Sequence, residues 1–199
     1  MKVLLIGASG TIGRAIDYEL KDRHEIIRVG HSSGDYQVNI TDSQSIRALF
    51  EKVGSFDALV SAVGKLHFGA LAEMTEKEYA LGLKDKLMGQ VNLLLIGREF
   101  ISDGGSFTLT SGILSDDPIR AGSSASMVNA AVNGFVRGAA IELPRGLRVN
   151  AVSPTVLVES MGSYAPFFRG FKPVPAAEVA LAYAKSVEGA QTGQVYRVG

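Results

Sequence analysis

Lys2-Val3-Leu4-Leu5-Ile6-Gly7-Ala8-Ser9-Gly10-Thr11-Ile12-Gly13 opens the chain as an apolar run of strand length followed by three glycines in the spacing G-x-x-G-x-x-G. The run reads as a buried strand, and the helical spacing that starts near Thr11 puts the glycines on a strand-to-helix turn. Glycine suits that place for three reasons: the turn is tight, the backbone must come close to a pyrophosphate, and the helix must pack against the strand. The free N–H groups of the helix start face the phosphates. Gly7, Ser9, Gly10, Thr11, Ile12 and Gly13 are thus the first candidate cofactor-binding residues.

Beyond this turn, apolar runs of strand length recur at Ile26–Val29, Ala58–Val60, Ser106–Leu109, Val149–Val152 and Gln194–Val198. Segments with helical spacing lie among them at Ile12–Lys21, Ser43–Val53, Glu76–Phe100 and Ser126–Leu143. Strands apolar on both faces, alternating with helices, predict an α/β chain with a doubly wound parallel sheet, a Rossmann fold. With no linker, low-complexity stretch or internal repeat, residues 1–199 read as one domain. Thr155–Pro175 is its one long irregular piece, rich in proline and carrying Tyr164, Phe167, Phe168 and Phe171. A loop of that length in a compact domain is usually functional, and it reads as the substrate side of the site.

Composition narrows the partners. The 20 Lys and Arg balance the 20 Asp and Glu, and no basic run appears, so neither nucleic acid nor an anionic membrane is expected to bind. No cysteine is present, which removes disulfides, thiolate metal sites and a cysteine nucleophile. No metal site is expected. Because the first strand starts at once after Met1, a signal peptide has no room, and the expected location is the cytoplasm. No apolar run approaches the length of a membrane span.

After the second strand, Gly30-His31-Ser32-Ser33 occupies the place where an NAD-specific site carries a carboxylate for the ribose hydroxyls. Gly30 removes that charge, and His31, Ser32 and Ser33 are able to donate hydrogen bonds to a 2′-phosphate. NADP is the expected cofactor, with NAD as the alternative.

Taken in order, these motifs resemble the short-chain dehydrogenase/reductase family over essentially the whole chain. Asn39-Ile40-Thr41-Asp42 is similar to the family's segment over adenine. Ser61-Ala62-Val63-Gly64 resembles its Asn-Asn-Ala-Gly element, and Phe107 to Gly112 its strand ending in the active-site serine, here Ser111. Leu147 to Pro154 resembles the Arg-Val-Asn-x-Val-x-Pro strand. The resemblance implies that Asn39, Ile40, Ser61, Ala62, Val63, Gly64 and Pro154 contact the cofactor.

The likeness fails in the catalytic set. Aligning Ala130-Ala131-Val132-Asn133-Gly134-Phe135 with the family's Ala-Ala-Val-x-Gly-Phe puts Ala125 at the tyrosine of Tyr-x-x-x-Lys and Asn129 at its lysine. Alanine has no proton to give, and asparagine has no charge to shift a neighbour's pKa. Lys86 likewise stands where the family has an asparagine. Ser111, Lys86 and His67 are the remaining catalytic candidates, Asn129 is a candidate for the nicotinamide ribose, and Tyr164 is a phenol on the substrate loop. Two functions follow: an NADP-dependent oxidoreductase of a small carbonyl or alcohol with a rebuilt acid–base set, or a non-catalytic dinucleotide-binding redox sensor or scaffold. A small molecule is thus expected as substrate or effector.

Leu87–Phe100 and Ser126–Leu143 are too apolar and too rich in small residues to cover a sheet with one face and leave the other in water. They also resemble the helix pair through which the family dimerises. A homodimer or homotetramer is expected.

Overall fold

The computed structural model describes residues 1–199. Seven strands form one sheet: β1 Lys2–Ile6, β2 Glu25–Gly30, β3 Tyr36–Gln37, β4 Phe56–Ser61, β5 Ile101–Thr110, β6 Arg148–Pro154 and β7 Val195–Val198. Every neighbouring pair is parallel, in the order β3-β2-β1-β4-β5-β6-β7. The order reverses direction at β1, so the loops after β1 and β4 diverge over opposite helices and leave a crevice between them, where ligands bind in such sheets. The doubly wound α/β fold is as the sequence predicts.

The seven helices are α1 Thr11–Leu20, α2 Ser43–Val53, α3 Glu76–Gly82, α4 Met88–Gly97, α5 Ser123–Glu142, α6 Met161–Tyr164 and α7 Ala176–Glu188. On one face, Leu4, Ile6, Leu59, Phe107 and Leu109 of the sheet meet Phe50 of α2, Leu93 of α4 and Val132 and Val136 of α5. On the other, Val3, Leu5, Ala58 and Val60 meet Ile16 and Leu20 of α1 and Val179, Tyr183 and Val187 of α7. Adjacent residues of β1 and β4 thus feed opposite cores, as the period of two demands. No helix is long and apolar enough to cross a membrane.

Three elements differ from expectation. β3 is only two residues long, too short to leave an apolar run. The expected single helix over Glu76–Phe100 is interrupted by one π turn, Leu83–Leu87, and ends at Gly97. Helix α7 begins inside what reads as featureless sequence, with Pro175 as its N-cap rather than as the end of an irregular loop. Its alanines give weak apolar contrast, so its buried face does not stand out.

Strand β5 also departs from the expectation of strands apolar on both faces. Phe107 and Leu109 face one core, while Thr108 and Thr110 face α7, where the Thr108 hydroxyl pairs with that of Ser186 at 2.7 Å and the Thr110 hydroxyl with that of Tyr183 at 2.5 Å. Thr110 also donates to the Ser61 carbonyl. These buried hydroxyls satisfy one another, which is the condition for polar groups in a dry layer. Replacing Tyr183 by phenylalanine keeps the ring but deletes the Thr110 contact. Tyr183→Phe is expected to lower unfolding free energy by about 1–2 kcal/mol, read as a drop in urea midpoint with unchanged slope; an unchanged midpoint would show the pair to be worthless.

Candidate functional site

Two cavities meet at the loop after β4. The first, about 500 Å³, lies over the glycine turn and is walled by Gly7, Ser9 and Gly10, by Gly30 and His31 at the end of β2, and by Asn39 and Ile40. The second, about 330 Å³, holds Ile12, Lys86, Ser111, Ala125, Asn129 and Pro154. Ala62, Val63 and Gly64 line both, so the two form one cleft. Five of the cofactor candidates stand outside it. Thr11 faces a groove between α1 and α7, Gly13 packs under the turn against the Gly7 carbonyl, and Ser61 is buried beneath the loop. Ser32 and Ser33 stand exposed on the turn after β2 and do not line the cavity.

That turn explains Gly30. A Cβ there would lie 2.5 Å from the Ser33 carbonyl oxygen, because residues 31–34 fold back over the strand end. Asp35 is occupied, accepting from the Arg28 N–H at 2.8 Å. No side chain fits at Gly30, and the Asp35 carboxylate does not line the cavity. The cation the sequence reading missed is Lys65, which also lines the nucleotide cavity. Asp85, also in that wall, is held by the Lys65 N–H at 2.7 Å.

The loop after β4 alternates. Lys65 lines the nucleotide cavity, Leu66 and Phe68 line the reaction cavity, and His67 lies in a third, polar cleft with Lys77, Glu78 and Lys84, which shares Thr41 and Asp85 with the nucleotide cavity and no residue with the reaction cavity. His67 is therefore not brought to Ser111, contrary to its place among the catalytic candidates. Residues of alternating direction along an extended segment cannot share one cavity.

Lys86 is brought there. It sits in the π turn, where one extra residue per turn shifts the helix face, a feature common at functional sites. Its Nζ donates to the Ser111 carbonyl at 3.0 Å and meets no carboxylate, and burial pulls its pKa from 10.5 down to about 8. Gly64 makes the approach possible: it has φ +130°, and a Cβ there would lie 2.5 Å from Lys86 Cγ and 2.9 Å from its Cα.

Gln90, one turn further on and fully buried, fixes the spacing between helix and strand. Its amide NH₂ donates to the Lys86 carbonyl at 3.0 Å and the Thr110 carbonyl at 2.9 Å, while its oxygen accepts from the Thr110 N–H at 2.8 Å. Ser111, at the end of β5, is anchored by its own N–H to the Val152 carbonyl at 2.9 Å, and its hydroxyl makes only a long 3.5 Å contact. That hydroxyl remains available to a ligand.

Ala125 and Asn129 lie on α5, one helical turn apart, and both line the reaction cavity. The Asn129 Oδ1 is buried with no donor. An orphaned acceptor in a ligand cavity asks for a hydroxyl or amide N–H from whatever binds there. At the other end, a Cβ on Gly10 would touch only the Gly7 carbonyl, at 3.4 Å, so the space beyond it is open cleft. A dinucleotide fits both observations: pyrophosphate over Gly10, a nicotinamide ribose near Asn129.

The substrate loop is more ordered than its prolines imply. The Val158 N–H donates to the Val174 carbonyl at 2.9 Å, and both carboxylate oxygens of Glu159 accept from the Ala176 N–H, at 3.0 and 3.1 Å. Its two ends are thus pinned together as a closed Ω-loop. The loop carries Phe168 into the cavity wall, packed with Leu114, Ala125 and Val156. Tyr164 packs edge-on to Phe168 with ring centres 6.2 Å apart and does not line the cavity. No cluster of three or more His, Asp or Glu side chains is placed to hold a metal ion.

Comparison with known proteins agrees with this architecture. A family model described as Enoyl-(Acyl carrier protein) reductase matches residues 13–196, and the chain belongs to that family, the short-chain dehydrogenase/reductases. The protein lin1944 from Listeria innocua, known from its crystal structure, is 53% identical over all of both chains and superposes with a TM-score of 0.99. A small-chain dehydrogenase solved in complex with NADPH, 24% identical over 100% of this chain and 96% of its own, has the same fold with a TM-score of 0.88. An uncharacterized oxidoreductase of Methylorubrum extorquens is 29% identical over 114 residues, 57% of this chain and 46% of that protein. The chain thus matches less than half the length of that curated relative.

Proposed function

We propose that this chain is an NADP-dependent reductase of small carbonyl compounds in which Lys86 takes the place of the family's tyrosine as proton donor. The observation that carries the reading is the position of the Lys86 Nζ. It is bonded to the Ser111 carbonyl and buried in the same cavity as the Ser111 hydroxyl and Asn129. A reduced nicotinamide, when bound, supplies the hydride that reaches the carbonyl carbon. The chain's part is to orient and protonate. Ser111 donates a hydrogen bond to the carbonyl oxygen, Lys86 gives that oxygen its proton, and the neutral amine then recovers a proton from solvent at the cavity mouth. Asn129 accepts from the ribose with its free Oδ1.

NADP over NAD is supported by Gly30, where no carboxylate fits, and by Lys65 and His31, which both line the nucleotide cavity. That a dehydrogenase of the same fold was solved with NADPH agrees. Isothermal titration is expected to show NADPH tighter than NADH by about tenfold, and Lys65→Ala to erase most of the difference; equal affinities in the unaltered protein would remove the preference.

The Lys86 role has a pH signature with a definite sign. The acid is the ammonium, present below its pKa of about 8 and lost above it. Turnover with a carbonyl substrate is expected to be level below that pH and to fall about tenfold per unit above it. Lys86→Ala is expected to cut turnover by about 10²–10⁴ with NADPH affinity unchanged. Unchanged turnover returns Lys86 to a structural role, and NADPH binding without turnover by the unaltered protein favours the sensor.

The expected partner is a second copy. Met127, Ala130, Gly134, Gly138 and Ile141 stand exposed along α5, with Ile141 at 88%, and Met88 and Leu95 are exposed on α4. The two glycines leave open space for a closely approaching helix. Light scattering is expected to give twice the 21.1 kDa chain mass or more, and Gly138→Glu to split the assembly; a single-chain mass that persists as concentration rises refutes it.

A further inference from the structure

Around Lys86 the reaction cavity is mostly apolar. Leu66 and Phe68 come from the loop after β4, Leu114 from the turn after β5, Val156 from the end of β6 and Phe168 from the Ω-loop, while Ala125 leaves a hollow among them. Lys86 is the one ionisable side chain in that wall. A single buried cation suffices for the negative charge that develops on one carbonyl oxygen. It does not suffice for a second anion. A substrate with a carboxylate or phosphate beside its carbonyl would bury that charge in a wall whose remaining polar side chains, Ser111, Asn129 and Thr155 among them, are all neutral, with no second cation to pair it.

The far wall is rigid as well as apolar. Phe168 is only 7% exposed and is clamped edge-on between Tyr164, at 6.2 Å and 83°, and Phe171, at 5.2 Å and 72°. Tyr164 in turn meets Phe68, at 6.3 Å and 60°, so one chain of aromatic edges joins two walls of the cavity. Edge-on rings hold one another in fixed orientation. The cavity of about 330 Å³ is at the small end of the range for ligand sites. A nicotinamide ring takes part of it.

We infer that the cavity binds an uncharged ketone or aldehyde whose body is one compact ring or branched apolar group, and that Phe168 is the residue that selects it. This rests on the carbonyl-reduction reading of the same site. Phe168 would meet the body of the substrate while Lys86 and Ser111 meet its oxygen, so the two ends of the molecule are read by different elements of the fold.

4-Nitrobenzoate and terephthalate test the charge argument, being planar, nearly equal in size and inert to hydride transfer at the carboxylate: each can set one carboxylate on Lys86, and only terephthalate carries a second. Both, and benzamide as a neutral single ring, are titrated calorimetrically into the full-length protein near neutral pH, with and without NADPH. 4-Nitrobenzoate is expected to bind about tenfold or more tighter than terephthalate. Phe168→Ala is expected to weaken benzamide by a similar factor and to improve 2-naphthamide, with NADPH affinity unchanged. Phe168→Leu, which keeps apolar volume and spares the fold, is expected to fall between. Terephthalate binding as tightly as 4-nitrobenzoate, or none of the three binding, overturns the inference, as does a folded Phe168 variant that binds both amides as the unaltered protein does. Failure of NADPH to bind overturns the functional reading instead, and the nitro-to-carboxylate comparison in nucleotide-free protein still judges the cavity.

Discussion

The amide of Gln90 is the contact on which the geometry of the cleft depends. It faces two backbones at once, the helix that carries Lys86 and the strand that ends in Ser111, and it saturates both sides of the Thr110 peptide. Parallel strands end in carbonyls and N–H groups with no further ladder to join, and in a dry interior each must find a partner. Here one side chain supplies that partner and sets the spacing between α4 and β5. The bond from Lys86 to the Ser111 carbonyl spans a gap that Gln90 has already fixed.

The opposite face of β5 works under the same rule with different chemistry. Its threonines pair with Tyr183 and Ser186 of α7, and Asn150 of β6 donates to the same Ser186 hydroxyl at 3.1 Å and to the Gln191 carbonyl at 2.9 Å. Helix α7 is therefore registered on the sheet by directional bonds as well as by Val179 and Val187. Because the Ω-loop is pinned to the first turn of α7 through Glu159, the register of α7 also sets where Phe168 lands. The wall of the reaction cavity is thus positioned by hydroxyl pairs on the far side of the sheet.

Much of this was legible in the chain, for physical reasons that differ by element. The glycine turn and the long strands are local patterns in which one residue type meets one steric demand, and they lie where the sequence places them. The family resemblance carried Ala125 and Asn129 into one cavity with Ser111. Elements whose signal is not local were missed. A two-residue strand such as β3 has no period. The alanines of α7 bury little area each, and a π turn shifts the helical phase by one residue without changing composition. The position of His67 depended on which way an extended loop faces, which sequence does not disclose. Ser32 and Ser33 sit on an exposed turn whose backbone folds back over Gly30, close enough that only glycine leaves room for the Ser33 carbonyl, and no sequence pattern discloses that fold.

The exchange of residues across the cavity has an internal logic. A tyrosine on α5 would fill the hollow that Ala125 leaves beside Phe168, so a proton donor on that wall and a ring-sized apolar substrate compete for the same space. In the reaction proposed above, a donor on the π turn leaves the α5 wall to the substrate body. The requirement is steric: a lysine reaches the cavity from that turn only if the facing loop has no side chain, and Gly64 meets it. The requirement is also electrostatic. A buried amine bonded to the Ser111 carbonyl and to no carboxylate loses enough hydration to bring its pKa to about 8, close to where a general acid works best at neutral pH. Pairing Lys86 with an acidic neighbour would raise that value, and the carboxylate next to it in sequence, Asp85, accepts from the Lys65 N–H.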